Sequence, residues 1–314
     1  MTTNESETET VSYNDVTKQT EAVLPQQNRM QADNQASKLI RPYQGHVAWP
    51  TIIMGLIITV GFVSICALAT LKLIPLWLGF FINCFILYAA QTPLHEACHG
   101  NIAGRNSSKM WLNHLIGYLC GWVLLHEYKA FRQMHLAHHR NPNNEELDPD
   151  TWVKVKHPLN VLFRCLTIVF YYNHFFFKNI AFKWREGNNL KLAIHIITSY
   201  VVLYTIMGVI ALMGYWREVL MLWFLPHYIA SAMIIFFFAY LTHEPHQQTN
   251  RYADTNILLF KGWKHKLITW AYCFQNYHLI HHLYPRIPFY LYPTVYEDVK
   301  KILAEEKSPI YHLP

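Results

Sequence analysis

Cysteine is scarce and unpaired. Six are scattered along the chain (Cys66, Cys84, Cys98, Cys120, Cys165 and Cys273), mostly in apolar company and with no C-x-x-C spacing. That excludes a disulfide framework and a thiolate zinc site, and leaves reduced packing residues. Charge is also in short supply: Asp, Glu, Lys and Arg make up 15% of 314 residues, against 52% hydrophobic. An ordinary soluble domain carries roughly a quarter charged residues, so a membrane-embedded chain fits better. The sequence has no His-Pro-Gly-Gly haem motif, no four-cysteine iron–sulfur spacing and no G-x-G-x-x-G turn. A redox partner of its own is therefore not expected within the chain. No basic stretch leading into an apolar run opens it, so no signal peptide is expected. Residues 1–38, polar and then Gln/Asn-rich, offer little from which to build a core. They are read as a disordered tail ahead of a folded membrane domain at 39–314.

What the chain has in abundance is long apolar runs. Trp49–Leu71 and Leu73–Leu94 follow each other so closely that they form a helical hairpin; Leu192–Tyr215 and Val219–Leu241 form another across Trp216-Arg217-Glu218. About 20 helical residues cross a ~30 Å hydrocarbon core, and all four runs qualify. Met110–Leu125 and Pro158–Phe177 are shorter or interrupted by Asn, Arg and His, and are expected along the interface. The fold class is therefore all-α, with four transmembrane helices. Of 26 Lys and Arg, only Lys72 and Arg217 fall in the hairpin turns. The remainder share one side, which the positive-inside rule makes cytoplasmic, along with both termini.

Nineteen histidines are the other excess. Eight fall into three sets: His95 and His99 as H-x-x-x-H, then His135, His138, His139 and His278, His281, His282, each as H-x-x-H-H. Positions i, i+3 and i+4 share a helix face, so each set is expected to aim its imidazoles at one point. Imidazole suits iron, zinc, copper or nickel. Eight ligands exceed the four or so that close a zinc site, so two metal ions fit the count better. His95 and His99 leave the end of the second span and His243 that of the fourth, and long connections return the other sets, so all three are expected on the cytoplasmic face. Solitary histidines (His46, His157, His195, His227, His265, His312) are read as packing residues, and His114, His126 and His174 as interfacial packing. His95-Glu96-Ala97-Cys98-His99 also matches the H-E-x-x-H zinc-protease pattern, with Glu96 as general base. That reading leaves both H-x-x-H-H sets idle.

From about Trp49 to Tyr296 the boxes, in type and order, resemble the membrane fatty acid desaturase/hydroxylase superfamily, whose three histidine boxes surround paired hairpins. The resemblance implies a non-haem di-iron centre on a cytoplasmic helical cap, held by the eight box histidines, with O₂ as co-substrate. It implies a ninth ligand near the end of the fourth span: His243 in Tyr240-Leu241-Thr242-His243-Glu244-Pro245, with His246 as the substitute. Arg132-Gln133-Met134-His135 with Leu147-Asp148-Pro149-Asp150, and Gln275-Asn276-Tyr277-His278, are similar to β-carotene hydroxylases with desaturase-type boxes. Hydroxylation of a carotenoid ring is thus the expected reaction, with acyl-lipid desaturation next and the protease a distant third. Glu244 departs from the basic residue expected there. Asp148 and Asn276 are expected to accept the second ring N–H of ligating histidines, with Glu96 and Asp150 as weaker candidates. Tyr172, Phe175, Phe176, Phe236, Phe237 and Phe238 are expected to line a tunnel for an apolar substrate. Electrons are expected from a separate ferredoxin-like carrier and its reductase, drawn to Lys129, Arg132, Lys154, Lys156, Lys183 and Arg185. Nucleic acid is not an expected partner. Tyr296–Glu306 reads as a short amphipathic surface helix.

Overall fold

The computed structural model describes residues 26–181 and 190–314. The first 25 residues of the expected tail, and Lys183 and Arg185, lie outside the described residues. Residues 26–38 are not tail: they form most of helix α1 (Gln26–Ile40). Ala32, Ala36 and Ile40 recur every fourth residue and give this polar helix one apolar stripe, which packs into a cluster with the C-terminal helix. The Tyr252 hydroxyl donates to Asp33 at 2.8 Å and ties the same helix down. Averaged composition concealed that stripe.

Helices α2 (Trp49–Thr70) and α3 (Leu76–His99) form the expected first hairpin. Pro50 sits in the first turn of α2, where a missing N–H costs nothing. One stripe of α2 (Ile52, Gly55, Ile58, Phe62) is buried, while Ile57 is 66% and Val60 64% exposed. An apolar face of that extent would be a liability in water and is suited to lipid. α3 runs a turn past its expected end, so His95 and His99 are helical; it stops at Gly100, whose φ of +75° only glycine adopts cheaply.

Among the described residues, three helices are long and apolar enough to cross a membrane: α2, α3 and the 54-residue run Leu190–His243. The two later spans expected from the sequence fall within this run, which breaks at Gly214 (φ +100°) rather than at Trp216-Arg217-Glu218. Glycine is the residue that reaches that φ without strain, so the turn falls two residues early. The run comprises α8 (Leu190–Ile210), α9 (Trp216–Val219), α10 (Leu225–Ile234) and α11 (Leu241–His243), joined by wide π-helical turns.

Helix α4 (Met110–Val123), expected along the interface, is not among the helices long enough to cross a membrane. It packs lengthwise against α2 and α3, with Cys120 Sγ 3.9 Å from the Gly55 carbonyl. Its far end is fixed by Trp223 Nε1 donating to the Val123 carbonyl (2.9 Å) and His227 Nδ1 to that of Leu124 (2.7 Å). The chain then reverses, and α5 (Tyr128–Arg140) returns alongside. Gly121 permits this reversal: a Cβ there would stand 2.6 Å from the His126 carbonyl. Small residues on its buried face (Gly117, Cys120, Gly121) let α4 approach so closely.

Helices α6 (Pro158–Leu166) and α7 (Ile168–Phe175) follow and leave Leu159, Leu162, Phe163 and Phe170 exposed. The all-α expectation misses one short feature among the described residues, a parallel pair of β1 (Ile257–Phe260) with β2 (Ile310–Leu313). Four residues each, they are too short to show a period. Between them lie α12 (Trp263–Ala271), α13 (His278–Leu283) and α14 (Tyr292–Glu305). α14 starts four residues earlier than expected and buries Tyr292, Val295, Val299, Ile302 and Leu303.

Candidate metal centre

Four helix segments converge on one buried volume: the end of α3, the C-terminal half of α5, α11 and α13. Their histidines fall into two sets whose ring nitrogens all lie within 4.8 Å of one another. The first holds His95, His99, His135, His139 and His281; the second holds His138, His243, His278 and His282. The nine are the eight box residues and His243. His246 stands outside both sets, its ring 6.0 Å from that of His243.

The boxes do not each address one point, as expected; they are shared. On α5, His135 and His139, four residues apart, face the first set, while His138 faces the second. On α13 the pattern is reversed: His278 and His282 serve the second set and His281 the first. An H-x-x-H-H helix laid between two centres contributes to both, because i and i+4 lie on one side of i+3.

Nitrogen–nitrogen distances test whether metal ions fit. Nε2 pairs stand 2.7 Å apart at His99–His135, 2.8 Å at His139–His281, 3.1 Å at His138–His282 and 3.2 Å at His243–His278. Metal–imidazole bonds of about 2.1 Å put neighbouring ligand nitrogens roughly 3.0–3.4 Å apart. Burial pushes His135, His139, His278, His281 and His282 well below the ordinary imidazole range, so they are neutral and carry the lone pair a metal needs. The 3.1 and 3.2 Å pairs fall in that range, and the 2.7 and 2.8 Å pairs need open by only a few tenths of an ångström to admit an ion. The residues fit two metal ions.

Partners of the opposite ring nitrogens differ between sets. His138 Nδ1 meets Asp148 Oδ1 at 2.8 Å and Asp150 Oδ2 at 3.5 Å. Burial alone would lower the His138 pKa, but these two carboxylates outweigh it and raise it to about 9. Asp148 also accepts from the backbone N–H groups of Asn143 and Asp150, so it caps a short turn and orients His138 together. His278 Nδ1 bonds Gln275 Oε1 at 2.7 Å, and His282 Nδ1 faces Asp254 at 3.6 Å. In the first set, His281 Nδ1 meets the Tyr292 hydroxyl at 2.9 Å, and His95 Nδ1 has no partner.

Asp148 thus stands where it was expected; Asn276 does not. Its amide donates to the Leu258 carbonyl (3.0 Å) and Thr269 Oγ1 (3.1 Å), holding the loop before α13 rather than touching a ring. A helix-start asparagine serves its own loop more readily than a side chain beyond it. Asp150 reaches His138 and accepts from the Tyr172 hydroxyl. Glu96 is fully buried beside Asn101 and Tyr292 and belongs to neither set. His95 and His99 are joined in the first set by three further histidines, so the H-E-x-x-H pair does not stand as a separate two-histidine site. Gln275, Asp254 and Tyr292 were not anticipated. Gln275 was legible, three residues before His278 in the same turn, whereas Asp254 and Tyr292 arrive from separate segments and left no local signal.

A narrow cavity of about 100 Å³ runs from His95, His135, His138 and His278 along α5 to His126 and Glu127. Of the expected aromatics, Tyr172, Phe176 and Phe238 line it. Phe175 packs instead against Ala130 and Met134, Phe236 against the Val153 cluster, and Phe237 edge-on to Tyr88 and Tyr272. Helical twist turns consecutive aromatics to different faces, so no run of them could all face one channel.

Comparison with known proteins adds the decisive observation: the fatty acid desaturase family profile matches residues 34–314. The chain belongs to the fatty acid desaturase family. It is an enzyme of the membrane desaturase/hydroxylase type, and the histidine sets occupy the heart of the matched region. A beta-carotene ketolase of Paracoccus sp. is 28% identical over 213 residues, which is 64% of this chain and 70% of the ketolase. An sn-1 oleoyl-lipid 12-desaturase of Picosynechococcus sp. is 28% identical over 102 residues, 32% of this chain and 27% of the desaturase.

Proposed function

We propose that this family member is an O₂-dependent di-iron oxidase of a membrane lipid, and that its substrate is a carotenoid whose ring it hydroxylates. The observation that carries this reading is the pair of histidine sets at one end of a cavity whose middle is lined mostly by apolar side chains. Two irons held there would supply the oxidising power, drawn from O₂, that an unactivated C–H bond demands. The chain's own residues do the rest. His138 is oriented by Asp148 and His278 by Gln275, which fixes the tautomer of each ring. Phe176, Phe238, Ile234 and Ile235 exclude water along the cavity and present an apolar substrate end-on to the histidines.

The partial match to a carotene ketolase, and the Leu147-Asp148-Pro149-Asp150 and Gln275-Asn276-Tyr277-His278 stretches, support the carotenoid. The shorter match to an oleoyl-lipid desaturase supports acyl-chain desaturation as the second reading. A small displacement of the substrate separates the two outcomes. In this reading Leu190–His243 crosses twice, giving four crossings, and residues 26–314 form one catalytic unit with both termini and the histidines on the cytoplasmic side. A separate ferredoxin-like carrier docks at the basic face of Lys129, Arg132, Lys154 and Lys156. Expression in a β-carotene-accumulating host tests the reading: hydroxylated pigment is expected. Unaltered carotenoids accompanied by new acyl double bonds would establish the desaturase instead.

A further inference from the structure

The end of the cavity remote from the histidines is not apolar. Glu127 lies there, 1% exposed. Its Oε2 accepts from the Ala130 N–H at 2.6 Å and caps α5; its Oε1 accepts no hydrogen bond, with His195 Nε2 the nearest cationic candidate at 3.9 Å. Beside it, His126 Nδ1 is buried and unpartnered, and His126 Nε2 stands 3.3 Å from Ser231 Oγ. A cap needs one carboxylate oxygen. The second, buried without a partner against an apolar channel, costs free energy unless something in the channel donates to it. An ionisable group at membrane depth is expensive to keep for packing alone.

We propose that Glu127, with His126 and Ser231, forms a polar subsite that binds a hydroxyl group on the lipid substrate. The chemistry of the three side chains selects that group. A carboxylate would meet Glu127 as a like charge, and an ammonium offers no acceptor to Ser231 or His126. A hydroxyl both donates and accepts. Glu127 and His135 are eight positions apart on α5, roughly 12 Å at ~1.5 Å per residue, or about ten carbon–carbon bonds of extended chain. The subsite therefore acts as a ruler: it sets which carbon, about that far from the hydroxyl, lies at the histidines. This rests on the proposed function in taking the cavity as the lipid channel, and it narrows the substrate: β-carotene carries no hydroxyl, so the occupant of the subsite is a lipid that already bears one.

Binding of dodecan-1-ol and of dodecane to the full-length protein in nanodiscs, each corrected for partition into empty discs, tests it. The wild type is expected to hold the alcohol about tenfold more tightly than the alkane. Glu127→Gln keeps an oxygen for the cap and turns the free acceptor into a donor. It should cut that preference to about twofold and leave dodecane binding unchanged. Ser231→Ala, which leaves the cap intact, should lower it about threefold and carries the test if the Glu127 variant fails to fold. Equal binding of the two probes by the wild type, an undiminished preference in the variants, or a parallel loss of both probes would overturn the subsite. Because binding is read without turnover, a protein that failed to oxidise lipid would count against the proposed function and leave this result standing.

Discussion

The two histidine sets are built from the same residue type but supported differently. The first has five imidazoles, with the neutral Tyr292 hydroxyl behind one of them. The second has four, with Asp148 and Gln275 behind two, Asp254 facing a third, and Asp150 close by. One centre relies on ligand number and the other on anions one bond further out. A carboxylate on the far nitrogen makes an imidazole a more basic ligand, so fewer rings suffice where carboxylates stand behind them. Burial holds the Asp254 carboxyl up to about 7, whereas Asp148 accepts from two backbone donors and meets His138 Nδ1 directly.

That contrast can be broken in several ways. The largest effect is expected from a lost ligand: His139→Ala in the first set or His278→Ala in the second should each reduce lipid oxidation at least ~100-fold, beyond the 10–100-fold typical of an outer partner. Product yield from membranes checks this, and activity retained after either change would mean that one centre is dispensable. Next, Asp148→Asn should weaken iron at the second centre by roughly 10–100-fold, whereas Tyr292→Phe should weaken the first by about tenfold or less. Competition with a chelator measures both, and the reverse order would remove the distinction between the centres. Smallest, Gly121→Ala should leave metal binding intact and lower stability by about 1–3 kcal/mol, read as a fall in Tm, because the new Cβ meets the His126 carbonyl.

Much of the metal end was legible because it is periodic. Histidines at i, i+3 and i+4, and apolar runs long enough to span lipid, are repeating signals that survive in one dimension. How the boxes are shared was not legible. Spacing places His138 apart from His135 and His139 on α5, but only the position of α13 shows what each side faces. Tyr292 and Asp254 come from segments with no pattern of their own, and α1 hides a stripe of three small or apolar residues in polar company. Glu127 was passed over altogether. A single carboxylate before a helix reads as a cap, and it is one; only the folded chain, which brings His195 of α8 beside it, reveals that its second oxygen is buried.

Iron content most directly tests the claim that two centres exist. The full-length protein, reconstituted with Fe(II) in membranes and washed, should retain about two irons per chain, and about one in either His139→Ala or His278→Ala. A wild type that holds a single metal, or a His278→Ala protein that still holds two, would contradict the division of nine histidines into two sites.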